Sequence, residues 1–410
     1  MAKRPQQVVP LAVKGVAAEA DKNSMPLWAM GFRPFFLLAG VSAIMLVAVW
    51  VGIYRGEWIA VAPGRYFDIF TWHYHEMIFA FTTAVIAGFL LTAASNWTGQ
   101  RTAHGPWLMA LVGLWMAGRV AILSGEVMPE PLIAAIDIAF LPALIAAVAV
   151  PIIQTQNWRN LVFIVLLLAM TIANVMMHLQ AMGITAMARP GAFFAVYLVM
   201  IMIAIVGGRV FPYFASKRLP EAKVKRYPAL EIASIATLVA LTLAELVAPM
   251  ALEVIALLAA LAAIAHTLRF VGWCDRRVWG VPLLWVLYTG YAWLIIALIM
   301  RAAAARGYVM PMLPTHAMTV GAIGVLTMGM MARVSLGHTA RELKASKITI
   351  AAFVVINLAA VVRVLGPMVV PQSYAACVSA SGVLWAIAFG LFLIVYTPIF
   401  IKPREDGRIG

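Results

Sequence analysis

The stretch Thr71-Trp72-His73-Tyr74-His75-Glu76-Met77 sets two imidazoles and a carboxylate at the start of an apolar run that continues to about residue 95. Ionisable groups at membrane depth are costly and mark functional sites when a partner can be named. Neutral imidazole is the commonest metal ligand and an axial ligand of haem iron. His178, in Asn174-Val175-Met176-Met177-His178-Leu179, and His316, in Pro314-Thr315-His316-Ala317-Met318, stand in comparable settings. A lone histidine at a helix end is more often an interfacial or hydrogen-bonded residue. Four at one depth favour a metal or haem role, so His73, His75, His178 and His316 are the candidate metal- and cofactor-binding residues. Residues two apart on a regular helix point about 200° away from each other. Unless the helix has not yet begun at Trp72, His73 and His75 therefore serve different centres. One would reach a haem iron, the other a second metal, a propionate or a partner helix.

Other polar residues belong with these. Asn174 and His178, four apart, share a helix face, and Asn174 is expected to orient the imidazole or to make a helix–helix contact. Glu76 and Asp137 are the candidate catalytic carboxylates, Glu76 as a proton relay or metal ligand and Asp137 as part of a proton path. For Glu76 the competing reading is a first-turn acid favoured by the helix dipole. For Asp137 it is an ion pair with Arg119 across a short hairpin. Arg119 and Arg363 are also candidate clamps for haem propionates. Trp285, Tyr288, Tyr291 and Trp293 either line a cofactor pocket or pack a helix face. His104, His266 and His338 fall toward the opposite ends of their segments.

The elements that must hold these residues follow from composition. The 410 residues are 64% hydrophobic and 11% charged, with mean hydropathy +0.96, which places the chain among integral membrane proteins. The apolar runs are continuous rather than alternating, which excludes barrel strands. Runs long enough to span lie at about 34–54, 72–95, 105–123, 131–150, 160–181, 192–214, 229–247, 250–268, 281–300, 314–333, 348–366 and 373–400. The expected fold is thus an all-α polytopic membrane protein of about twelve transmembrane helices. Its parts are an N-terminal tail (1–30), one helical domain (31–401) and a C-terminal tail (402–410).

With the N-terminus inside, only Arg55, Arg65, Arg119, Arg189, Arg301, Arg306 and Arg363 of the 30 basic residues fall outside. This is the positive-inside pattern, with both termini cytoplasmic and the four histidines near the outer surface. The net charge of +14 therefore reports orientation in membrane lipid, not a nucleic-acid partner. Cys274 and Cys377 fall on opposite sides and are not expected to pair. The chain lacks Cys-x-x-Cys-His, the covalent haem signature. Residues before 25 lack the apolar core of a signal peptide.

Several of these stretches resemble the NnrS family. They are Gly31-Phe32-Arg33-Pro34-Phe35-Phe36, Trp72-His73-Tyr74-His75-Glu76-Met77-Ile78-Phe79, Asn96-Trp97-Thr98-Gly99, Gly207-Gly208-Arg209-Val210-Phe211-Pro212, His316-Ala317-Met318-Thr319-Val320-Gly321, and Met331-Ala332-Arg333-Val334-Ser335-Leu336-Gly337-His338-Thr339. Two departures are Ala94-Ser95, where a proline is expected before Asn96, and Ala340, where glycine is common. The resemblance implies a bacterial inner-membrane protein carrying haem, here expected as haem b, and copper. It implies a tie to nitric oxide metabolism or nitrosative stress, with nitric oxide as ligand and an electron donor the sequence does not name. The expected function is binding or turnover of nitric oxide, with reductase-like chemistry requiring Glu76 and Asp137 as relays. The alternatives are a proton-coupled secondary transporter built on the same Asp, Glu and His residues, and an assembly factor whose histidines only hydrogen-bond.

Overall fold

The computed structural model describes residues 25–58 and 66–408. Most of the expected N-terminal tail, and Arg65, lie outside the described residues. The described chain is 81% helical and has no strands. In hydrocarbon only a structure that satisfies its own backbone groups is affordable, and a helix does so within one segment.

Among the described residues, twelve helices are long and apolar enough to cross a membrane. They are α1 (Phe32–Tyr54), α2 (Ile69–Thr98), α3 (Pro106–Leu123), α4 (Glu130–Gln154), α5 (Trp158–Ala181), α6 (Ala188–Arg218), α7 (Pro228–Val247), α8 (Leu252–Trp273), α9 (Pro282–Ala305), α10 (Met312–His338), α11 (Lys347–Val369) and α12 (Pro371–Ile401). Each matches one expected span, displaced by a few residues at its ends. Four helices form the interior: α2, α6, α9 and α10 are 83%, 78%, 72% and 72% buried, against 22–44% for the other eight. Two of these four, α2 and α10, carry His73, His75 and His316.

The two described ends of the chain meet at one end of the bundle. Arg33, at the start of α1, donates from Nη1 to the carbonyls of Ile399, Phe400 and Lys402 at 3.1, 2.8 and 2.7 Å. It thereby supplies partners to carbonyls that the end of α12 leaves open. The two ends thus share a side; the assignment of that side as cytoplasmic rests on the charge bias alone.

Helix α2 starts earlier than the apolar run suggests. Asp68 caps it, accepting from the backbone N–H of Phe70 at 2.9 Å and of Thr71 at 3.1 Å. Glu76 therefore lies two turns inside the helix, which removes the first-turn reading of its charge. Directly after His75 the helix widens into a π segment, Glu76–Thr82. Helix α10 does the same directly after His316, over Ala317–Gly324. Such segments are rare and concentrate at functional sites. The first is held by side chains: Thr82 Oγ1 donates to the Met77 carbonyl at 2.8 Å and the Trp115 indole to that of Ala80 at 3.2 Å. In α10, a Cβ on Gly324 would stand 2.5 Å from the Trp385 ring, so this ring of α12 seats against a bare Cα. The stretch Gly207-Gly208-Arg209-Val210-Phe211-Pro212 lies within an unbroken α6.

Candidate functional site

The four candidate histidines separate into two environments. His73 and His316 line one cavity of about 510 Å³, enclosed by α1, α2, α6, α10, α11 and α12. Its walls are largely apolar, with Arg189 and Arg363 as its cations. The His73 ring stacks on Trp50, with centroids 4.2 Å apart and planes 15° apart. Its Nδ1 is buried without a hydrogen-bond partner. His316 has a defined tautomer. Its Nδ1 lies 2.8 Å from the Met312 carbonyl, which only accepts, so Nδ1 carries the proton. Its Nε2 lies 3.0 Å from Nη2 of Arg363, which only donates, so Nε2 presents its lone pair. The same guanidinium donates to the Tyr374 hydroxyl at 3.0 Å, while its Nη1 is buried and unpartnered.

His75 faces away from this cavity into a closed polar cluster shared by α2, α3, α4 and α5. Its Nδ1 is 3.0 Å from Glu76 Oε1, and its Nε2 is 2.9 Å from Asn174 Oδ1 and 3.2 Å from Asp137 Oδ2. His178 Nε2 is 2.9 Å from the same Asp137 oxygen, and its Nδ1 is 2.7 Å from the Tyr66 hydroxyl. Asn174 donates to Asp137 Oδ2 at 2.9 Å. Arg119 joins the two carboxylates, donating to Glu76 Oε1 at 2.9 Å and to Asp137 Oδ1. His75, Glu76, Asp137, Asn174 and His178 are all buried. Burial raises the Tyr66 hydroxyl, just ahead of α2, above its ordinary range, with Glu130 adding to the shift, so it stays protonated. The close seating of α3 on α4 depends on Gly118, where a Cβ would meet Asp137 Oδ1 at 2.7 Å.

Sequence spacing thus separates His73 from His75 correctly, because the helix is already regular at Ile69. The expected ion pair of Arg119 with Asp137 is present, and Arg119 holds Glu76 as well. Other expectations differ in detail. Of the two readings of Asn174, the helix–helix contact is the one observed: it bonds His75 and Asp137 and not its own-face neighbour His178. Arg119 does not line the His73–His316 cavity, whereas Arg363 does. Trp285, Tyr288, Tyr291 and Trp293 are also absent from its walls. Tyr288 and Tyr291 instead pack with Phe211.

Two residues carry more than the sequence reading gave them. Tyr66 falls in no span and no motif, so nothing signalled it. His266, set aside as an end residue, is fully buried and bonded to the Tyr291 hydroxyl at 2.6 Å and the Ser234 carbonyl at 3.0 Å. Beside it Arg269 pairs with Glu231 at 2.5 Å, under Gly208, whose bare Cα leaves room for both side chains.

No curated protein matches this sequence. A family model described as NnrS protein matches residues 26–404 of the 410. That match runs through both π segments, both histidine environments and the whole of all twelve helices. With nearly the whole chain covered, the protein belongs to the NnrS family.

Proposed function

We propose that this multi-pass membrane protein holds a haem in the His73–His316 cavity and binds nitric oxide there, within a bacterial inner membrane. Membership of the NnrS family supports the nitric oxide connection. The observation that carries the haem assignment is the meeting, in one largely apolar cavity, of two imidazoles, one with an unpartnered buried Nδ1 and one whose Nε2 lone pair faces only Arg363, with two cations. Its volume of about 510 Å³ suits a cofactor-sized ligand. His316, through its Nε2, and His73, whose Nδ1 has no partner, are the residues that would hold the iron. Arg189 and Arg363 would supply two positive charges for a haem's two propionates. When bound, haem supplies an iron that coordinates nitric oxide and carries single electrons.

The chain's own residues prepare that site. Met312 fixes the His316 tautomer through its carbonyl, and Trp50 limits rotation of the His73 ring. Arg363 must leave His316 Nε2 before any ligand takes that lone pair, and its second amine already lacks a partner. Nitric oxide is small, neutral and lipid-soluble, so a cavity among helices needs no aqueous channel to admit it.

The test is an absorption spectrum of detergent-purified protein from haem-replete cells, with and without nitric oxide. A Soret band that shifts on nitric oxide addition is expected. His73→Ala and His316→Ala should each lower haem content several-fold, and His266→Ala should not. Absence of a Soret band, or equal loss in all three variants, would overturn the assignment.

A further inference from the structure

We propose that His75, His178 and Asp137 form a transition-metal cation site, separate from the His73–His316 cavity. Each offers one atom: the two Nε2 nitrogens and a carboxylate oxygen, all within 4.8 Å of one another. The Asp137 Oδ2 oxygen lies 3.2 Å from His75 Nε2 and 2.9 Å from His178 Nε2. Bonds of about 2.0–2.1 Å to a tetrahedral ion set neighbouring ligand atoms roughly 3.3 Å apart. A few tenths of an ångström of relaxation would open the cluster to that spacing.

The outer partners point the same way. A metal-bound histidine almost always gives its other ring N–H to an oxygen, which fixes tautomer and orientation. Here His75 Nδ1 faces Glu76 Oε1 at 3.0 Å and His178 Nδ1 faces the Tyr66 hydroxyl at 2.7 Å. His75 Nε2 then turns toward Asp137 with its lone pair, and His178 Nε2 does the same when its Nδ1 donates to the Tyr66 hydroxyl, which can accept as well as donate.

Counting donors shows what the cluster lacks. Glu76 Oε1 receives Arg119 and can only accept, so His75 Nδ1 carries its proton. His75 Nε2 is left as an acceptor facing two further acceptors, Asp137 Oδ2 and Asn174 Oδ1. Turning the Asn174 amide over gives no relief, because its oxygen would then meet the Asp137 carboxylate in place of the 2.9 Å donor contact. Two carboxylates stand against one guanidinium, which leaves one negative charge in a buried setting. A cation among the three acceptors resolves both the lone-pair conflict and the charge. Two imidazoles with one carboxylate suit copper, zinc or iron rather than calcium or magnesium, which prefer oxygen donors.

The full chain in detergent is stripped with chelator, equilibrated with Cu²⁺ or Zn²⁺, desalted, and assayed for metal per chain. About one equivalent of one of these ions is expected on the native protein and on His73→Ala. Retention should fall at least ten-fold in Asp137→Asn and His178→Gln. Tyr66→Phe, which leaves the packing largely intact, should weaken binding by about ten-fold. The electron paramagnetic resonance spectrum of the Cu²⁺-loaded native chain should show hyperfine splitting from imidazole nitrogen, which requires no variant to fold. Failure of the native chain to retain either ion would overturn the proposal and leave a proton on His75 as the balancing charge. Retention unchanged in Asp137→Asn, His178→Gln and Tyr66→Phe would also overturn it, as would a copper spectrum without nitrogen splitting. Haem content measured on the same samples separates this outcome from that of the haem cavity.

Discussion

Replacing Arg119 by Leu removes the guanidinium that bridges Glu76 and Asp137 while keeping an apolar stem of similar length. Two charge-assisted hydrogen bonds are lost, one of them at 2.9 Å, and each such bond contributes about 1.5–3 kcal/mol. The carboxylates are 4% and 2% exposed, so neither can recover the loss by hydration. Breaking a buried pair by deleting one partner costs about 3–5 kcal/mol, in line with the bond count. The remaining partners, His75, His178 and Asn174, cannot replace the missing charge with neutral donors alone. Thermal denaturation in detergent, followed by intrinsic fluorescence, should therefore show a fall in apparent Tm of about 6–20 °C at roughly 2–4 °C per kcal/mol. Neutralising a carboxylate at the same time should recover part of this. In the cycle of Arg119→Leu, Asp137→Asn and the double variant, the coupling energy should be about 1.5–3 kcal/mol. Additive effects, with coupling below about 0.5 kcal/mol, would refute the claim that this arginine acts through the two acids.

Other consequences are simpler to measure. Ala340 has φ +59°, in the left-handed region that costs a residue with a Cβ about 1–2 kcal/mol. Ala340→Gly should raise apparent Tm by about 1–3 °C, the gain being reduced by glycine's greater freedom when unfolded; a fall would contradict it. Gly118→Ala should cost about 1–3 kcal/mol, since a Cβ 3.3 Å from the Asp137 Cα forces α3 from α4. An unchanged melting curve would show that these helices are not held at that distance. Burial pushes the Cys274 thiol up to about 11. Below that pH it stays protonated, so maleimide labelling of Cys274 at pH 8 should run roughly a hundred-fold slower than for an ordinary cysteine and accelerate as pH rises toward 11. Fast labelling at pH 8, judged against Cys274→Ala, would refute it.

Much of the architecture was legible because hydrocarbon imposes one rule on every segment. All twelve helices fall on runs that length and apolarity pick out, and end displacements such as that at Ile69 reflect caps rather than core preference. The polar residues that matter were legible for the same reason: His75, Asp137, Asn174 and His178 stand out where almost everything else is apolar. Tyr66 was not, because a tyrosine between helices looks like any interfacial aromatic. His266 was misjudged because nearness to a helix end says nothing of what covers that end. Here the neighbours are Ser234 of α7 and Tyr291 of α9.

By itself the sequence determined the membrane class, the helix count, the exclusion of strands and the opposed facing of His73 and His75. Each follows from local rules of hydrophobic length and of 3.6 residues per turn. Only the tertiary structure decided which distant residues complete each half. His316 and Arg363 join His73, and Asp137, His178 and Arg119 join His75, from helices whose neighbours no spacing along the chain encodes. The two π segments belong to the same category. Their wider turns leave no periodic mark in an apolar run, and in the first a side chain from elsewhere, the Trp115 indole, bonds the Ala80 carbonyl.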